Sequence, residues 1–418
     1  MSKILILGTV WPEPNSTAAG SRMLQIIEQF QGHNFEIVFA CAAAIGEFSF
    51  DLRLINVEMI VIELNNSSFD DFILELKPEI VVFDRFMIEE QFGWRVAENC
   101  PNSLKVLDTE DLHFVRNTRF ENFKKNKITT IDDYLVSELA QREIASIYRC
   151  DISLIISEIE IEILTSVFKI DQRILHYLPF LLNEMTDKDL DNFPSFAERQ
   201  NFVTIGNFRH EPNWNAVLYL KETIWPMIKK QLPNAELHIY GSYVTQKALN
   251  LNNEKEGFLI KGRAANAFEV IKNAKVLLAP IRFGAGIKGK LTDAMQCGTP
   301  SITTSLGAES MTELNLNPEL SKWNGQIFDN QLDFANAAVS YFLDENLWNN
   351  AQKNGIEIIN YRFNKNIFGK LFIDKILETK KNFEIHRTKN FIGQMLQMQT
   401  LKSTKYMSKW IEEKNKKF

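Results

Sequence analysis

The chain has 418 residues, 45% of them hydrophobic and 24% charged, enough for two or three separate cores. A formal net charge of -6 argues against nucleic acid as a partner of the whole molecule. The apolar start, Ile4 to Leu7, is too short for a signal segment or a membrane span, and no later run is long enough, so a cytoplasmic protein is expected. Cys41, Cys100, Cys150 and Cys297 are irregularly spaced and suggest neither a disulfide framework nor a CxxC metal site.

Short apolar runs alternate with amphipathic ones from the beginning. KILILG predicts a strand; a helix follows from about Gly20 (SRMLQIIEQF), then strands FEIVFAC and VEMIVIEL, a helix SFDDFILEL, and strands EIVVFD and LKVLD. A charged helical stretch near 130–148 leads to the strand DISLIIS, a further helix and ILHYLPFL. Such alternation predicts a parallel sheet with helices on both faces.

Residues 183–200, NEMTDKDLDNFPSFAERQ, are polar and acidic, the composition of an interdomain linker. The alternation then restarts: strand NFVTIG, helix EPNWNAVLYLKETIWPMIKKQ with Pro212 in its first turn, strands AELHIYG and GFLIKG, helix ANAFEVIKNA, strand KVLLAP, and strand PSITTS after an intervening helix. The fold class expected is α/β, with two Rossmann-like doubly wound domains facing a cleft. The expected boundaries are 1–185 on the acceptor side, a linker at 186–200, a donor domain at 201–362, and a basic helical tail at 363–418 that packs back on the first domain. In doubly wound sheets, ligands sit beyond the carboxyl ends of the strands.

Three groups lie at such ends. The first, RFGAGIKGKLTDAMQCGTP (282–300), places Gly284, Gly286, Gly289, Lys288 and Lys290 just before a helix. Free N–H groups, the helix dipole and two lysines make this a phosphate seat, although an ordinary glycine-rich loop would read the same way locally. The second, LDTEDLHFVRNTR, offers Asp108, Asp111 and His113 as candidate catalytic groups that orient an acceptor proton. A capped helix start with acids in its first turn and arginines beyond accounts for the same residues without a ligand. The third, FDRFMIEEQFGW, brings Arg85 to a strand end. Asp189 and Asp191 form a DxD in the polar linker that reads as solvated charge, and the histidines show no metal-ligand spacing.

The stretch GNFRHEPNWNAVLYLKETIWPMIKKQLPNAELHIYGS, followed by IKGR and LLAPIRFGAGIKGKLTDAMQCGTPSITTSLGAES, resembles the donor-binding domain of family 4 glycosyltransferases, which have the two-domain GT-B fold and retain configuration. The first half resembles the acceptor-side domain of that fold more loosely, through Gly8 and the loop STAAGSR, with Gly20, and through ISLIISEIEIEIL.

The resemblance implies a metal-independent hexosyltransferase that uses a nucleotide-diphosphate sugar and needs no cofactor. Its acceptor would be a glycan or a lipid-linked glycan in surface polysaccharide synthesis. The implied donor site comprises Gly206, Arg209, Arg263, Gly284, Gly286, Lys288 and Lys290, with Asp293 of DAMQCG gripping the ribose. Two departures stand out. The first of the family's paired glutamates falls at Ala285, and its Arg and Lys after the first donor strand fall near Asn207 and Pro212 or Asn213, leaving Arg209 as the nearest cation. A weakly active or silent binding and assembly subunit and a sugar-nucleotide epimerase are the alternatives. The lysines and the Met, Leu and Trp side chains of the tail also suit a peripheral contact with an anionic membrane face.

Overall fold

The computed structural model describes residues 2–312 and 322–416. In the first sheet β1 (Lys3–Gly8), β2 (Glu36–Cys41), β3 (Glu58–Val61), β4 (Ile80–Asp84), β5 (Leu104–Asp108), β6 (Ile152–Ile155) and β7 (Leu175–Tyr177) take the order β3-β2-β1-β4-β5-β6-β7. All pairings are parallel, with Leu5 opposite both Val38 and Val81. Ile4, Leu5, Ile6 and Leu7 are buried without exception, because helices cover both faces; that is why KILIL reads as a continuous apolar run instead of an alternating one.

The second sheet contains β8 (Gln200–Ile205), β9 (Leu237–Tyr240), β10 (Phe258–Gly262), β11 (Ala274–Ala279), β12 (Ser301–Thr303) and β13 (Gly325–Ile327), in the order β10-β9-β8-β11-β12-β13. Each sheet reverses its winding beside its first strand, which opens a crevice at the carboxyl ends. The long helix expected over EPNWNAVLYLKETIWPMIKKQ is present, with a wider turn at Leu220–Ile224. Pro226 follows at once; it has no amide N–H to donate, so the helical ladder must adjust there.

The polar stretch 183–200 is not a free tether. Asp189 caps a short helical turn by accepting the Thr186 N–H and hydroxyl. Arg199 is 1% exposed, donates to Thr299 Oγ1 and the Cys297 carbonyl, and lies over the Trp348 ring. The chain returns to the first domain beside its point of exit: the Leu182 N–H donates to the Phe363 carbonyl and the Lys365 N–H to the Leu182 carbonyl, each at 2.8 Å.

The helix Lys365–Lys381 then inserts Phe372, Ile373 and Ile376 into the core formed by Ile4, Ile6 and Phe30. The helix Phe391–Asn415 lies across Phe86–Asn99 and Glu138–Arg149, with Gln397 donating to the Arg149 carbonyl and Arg95 to Ser408. Met395, Met398, Met407 and Trp410 remain exposed on its outer side.

Candidate active site

A cavity of about 720 Å³ lies between the two sheets, and both supply its walls. The donor side presents Gly206, Asn207, His210, Asn213, Arg263, the turn Gly284–Gly289, Lys290 and Asp293; the acceptor side presents Ser16, Thr17, Arg85, Glu110, Asp111, His113 and Arg116. The helix Gly289–Gln296 begins at the cavity, so its free N–H groups face the space an anion would take.

Gly286 shows why this turn carries glycine. Its φ is +63°, and a Cβ there would stand 2.8 Å from Asp111 Cβ of the opposite domain. The Lys290 ammonium donates to Asn213 Oδ1 at 2.8 Å, and burial pulls its pKa down to about 8. Burial pushes the Asp293 carboxyl up to about 7, with Lys290 restraining the rise. Lys288 donates to the Gly286 carbonyl at 2.8 Å, and burial lowers its pKa as well. Two lysines and a helix start thus converge at one end of the cavity. Such a site gains a great deal from a ligand carrying two phosphates.

On the acceptor side the polar groups are largely engaged with one another. Asp111 receives both hydrogen bonds of a close pair from Arg116 Nη1, at 2.5 and 2.6 Å. Burial works against its charge, but Arg116 and then His113 outweigh burial and hold its pKa below the usual value. The helix His113–Lys124 is capped by Glu143, whose carboxylate accepts the His113 and Phe114 N–H groups at 3.2 and 3.0 Å. His210, facing Arg116 and both lysines, is pushed down to about 4, first by burial, and is neutral at pH 7.

The two walls are joined across the cleft. Arg119 donates to both Glu309 oxygens, at 2.7 and 2.8 Å, and to the Gly284 carbonyl at 2.9 Å. The hydroxyls of Ser157 and Ser310 meet at 2.8 Å. Glu160, 2% exposed, accepts the Leu112 N–H at 3.1 Å and the Gly286 N–H at 3.0 Å through one oxygen.

Residues 199–342 match the family described as Glycosyl transferases group 1. No curated protein matches the chain. Among solved structures it is similar to Anabaena HepE in complex with UDP and glucose (11% identity, TM-score 0.64, covering 90% of this chain and 99% of that one). A TarM variant from S. aureus, in complex with Fondaparinux, alpha-GlcNAc-glycerol and UDP, is similar at 11% identity and TM-score 0.66, covering 91% and 100%. Sucrose-phosphate synthase from Thermosynechococcus elongatus is similar at 14% identity and TM-score 0.66, covering 91% and 99%. The fold is GT-B.

Within residues 199–342 the structure gathers Gly206, Arg263, Gly284, Gly286, Lys288, Lys290 and Asp293 around one cavity, and Asp111, His113 and Arg85 face them from the other side. Arg263 also stacks on Phe48 of the first domain, at 4.2 Å to the ring centroid. Four expected residues lie elsewhere. Asp108 is fully buried behind the wall, bonded through Oδ1 to Arg22 Nε and Nη2 at 3.2 and 3.0 Å, so it serves the packing of the helix Ala18–Gln31 on the sheet. Arg209 lies over the Tyr243 ring, 4.1 Å from its centroid, away from the cavity lining. Gly8 and Gly20 leave room for protein: a Cβ would meet the Phe39 ring at 2.4 Å and the Glu13 backbone at 2.5 Å.

Sequence reading missed Glu160 and the Arg119–Glu309 pair. Glu160 lies within ISLIISEIEIEIL, and its carboxyl stands at the Ala285–Gly286 peptide, where the first family glutamate is lacking. Its only local signal was an acid in the first turn of a helix capped by Ser157.

Proposed function

We propose that this protein is a retaining glycosyltransferase that moves a sugar from a nucleotide-diphosphate donor to a glycan or lipid-linked acceptor. One observation carries the reading: Lys288, Lys290, the start of the helix Gly289–Gln296 and Asp293 converge on one side of a cavity whose other wall belongs to a second domain. The diphosphate sits on the lysines and free N–H groups, and Asp293 accepts the ribose hydroxyls. Similarity to structures described with UDP supports a nucleotide donor.

As the bond between the anomeric carbon and the phosphate oxygen breaks, negative charge grows on the phosphate, where preorganised donors stabilise it. The acceptor oxygen bonds to the anomeric carbon on the face the phosphate is leaving, and the acceptor proton passes to the departing phosphate oxygen. This course asks for no protein base and no bound metal. A role in surface polysaccharide synthesis belongs to the same reading, with the exposed lysines and Met395, Met398, Met407 and Trp410 of the last helix as the contact to an anionic membrane face.

The test is a thermal-shift screen of the full chain with UDP-, GDP- and dTDP-sugars, followed by transfer assays with the nucleotide that raises the melting temperature. Product stereochemistry then decides retention. Absence of a shift with every nucleotide would refute the donor reading.

A further inference from the structure

Asp111 is held by Arg116, and Asp108 by Arg22. Asp84 receives the Thr9 N–H at 2.9 Å and Arg85 Nη1 at 3.3 Å. Unbonded oxygens remain on Asp84 and Asp108, but neither residue lines the cavity. Glu110 does line it, at 9% exposure, and among the described residues its Oε1 is buried with no hydrogen-bond partner.

Its backbone is also unusual. Glu110 adopts φ +62°, a left-handed conformation that costs a residue with a Cβ on the order of 1 kcal/mol. A strained backbone therefore holds a carboxyl with one unsatisfied oxygen in the wall of the cavity that the donor turn also lines. Unsatisfied buried polar groups cost stability, and a ligand that supplies the missing bond recovers it.

We infer that Glu110 contacts the substrate, its carboxyl hydrogen-bonding a hydroxyl of the donor sugar in the cleft. This assignment rests on the donor reading above. The charged groups facing Glu110 are Asp108 on β5, Asp84 and Arg85 at the end of β4, and Arg22 from the helix Ala18–Gln31. Burial, then Asp108, push its carboxyl up to about 8, against the pull of Arg85 and Arg22. Below pH 8 it can both donate to a hydroxyl and accept from one; above pH 8 it is a carboxylate that accepts only, and more strongly.

The experiment is calorimetry on the full chain and on Glu110→Gln and Glu110→Ala, at pH 6.5 and pH 9. The probes are UDP, GDP and dTDP, free and as their glucose, galactose and N-acetylglucosamine conjugates. The quantity to follow is the ratio of sugar-nucleotide to nucleoside-diphosphate affinity, compared at each pH between wild type and Glu110→Gln, so that titration of Lys290 and of the free diphosphate enters both alike. Glu110→Ala lowers the ratio roughly tenfold, whereas Glu110→Gln, which still donates, stays within about threefold. Raising the pH turns the carboxyl into a carboxylate, which accepts a sugar hydroxyl more strongly, so the wild-type ratio rises several-fold relative to that of Glu110→Gln. The Gln variant and the pH series decide the matter even where the Ala variant does not fold.

An unchanged ratio in both variants, or a wild-type ratio that moves with pH no differently from that of Glu110→Gln, would overturn the inference. Equal loss for free and conjugated nucleotides would make Glu110 structural. Failure of the wild type to bind any nucleoside diphosphate is a different result: it removes the donor reading, and the inference with it.

Discussion

Glu160 offers a direct measurement of what the closed cleft costs. Its carboxyl is buried between the domains, accepts the Leu112 and Gly286 N–H groups through one oxygen, and leaves the other without a partner. Burial, then Asp111, raise it to about 8 from 4.5, while the two amide bonds pull the other way. A carboxyl whose pKa is higher in the folded than in the unfolded chain contributes stability that is complete below pH 4.5 and is lost as pH rises through 8.

At about 1.4 kcal/mol per tenfold change in acid strength, the ceiling on this loss is roughly 5 kcal/mol, and relaxation around the charge brings the expected value to about 2–4 kcal/mol. Glu160→Gln removes the titration and keeps an oxygen for both amides, at the expense of roughly 1 kcal/mol for an unpaired amide nitrogen. The variant is therefore slightly less stable than wild type at pH 5 and more stable by about 1–3 kcal/mol at pH 8.5, with a crossing between. Melting curves of both full-length chains from pH 5 to pH 9 report this as a difference that changes sign, on the order of 2–4 °C per kcal/mol. Other titrating carboxyls cancel in the difference. A difference that stays flat, or one that turns against Gln as pH rises, would show that the charged carboxylate holds the turn and that the reasoning is wrong.

Two further outcomes concern the donor wall. Lys290→Ala weakens nucleoside-diphosphate binding by about 1.5–3 kcal/mol and nucleoside binding hardly at all, because a charge-assisted phosphate bond is lost; calorimetry showing equal loss would take Lys290 out of the phosphate site. Asp293→Asn costs a ribonucleotide more than its 2′-deoxy analogue, since a carboxylate accepts hydroxyl bonds more strongly than an amide does. With Asp293 at about 7, the ribose preference of the wild type grows as pH rises from 6 to 8, and a preference independent of pH would contradict the assignment.

The parts of this site that could be read from sequence were those whose physics is local. Gly284 to Lys290 announced an anion seat because three glycines, two lysines and a helix start are contiguous, and β1 and β4 announced themselves as unbroken apolar runs. Pairings between distant segments left no such mark. Nothing near Asp108 indicated that Arg22 would take it out of the cleft, and nothing near Arg119 pointed to Glu309. Glu110 was visible as an acid in LDTEDLH, but its left-handed backbone and unbonded oxygen are properties of the folded turn.

The return of the chain across Leu182 and Lys365 has a consequence for the order in which the protein comes into being. The first sheet is laid down by residues 3–177, yet part of its hydrophobic interior is Phe372, Ile373 and Ile376, which leave the ribosome after the whole donor domain. The acceptor side must therefore wait, with the face around Ile4, Ile6 and Phe30 incompletely covered, while some two hundred residues are made and folded between its two contributions. The donor domain, by contrast, is one continuous insertion and can mature first. A chain cut short before residue 365 would thus fail in the half encoded earliest, and its defect would surface as exposure of the first sheet to chaperones and proteases.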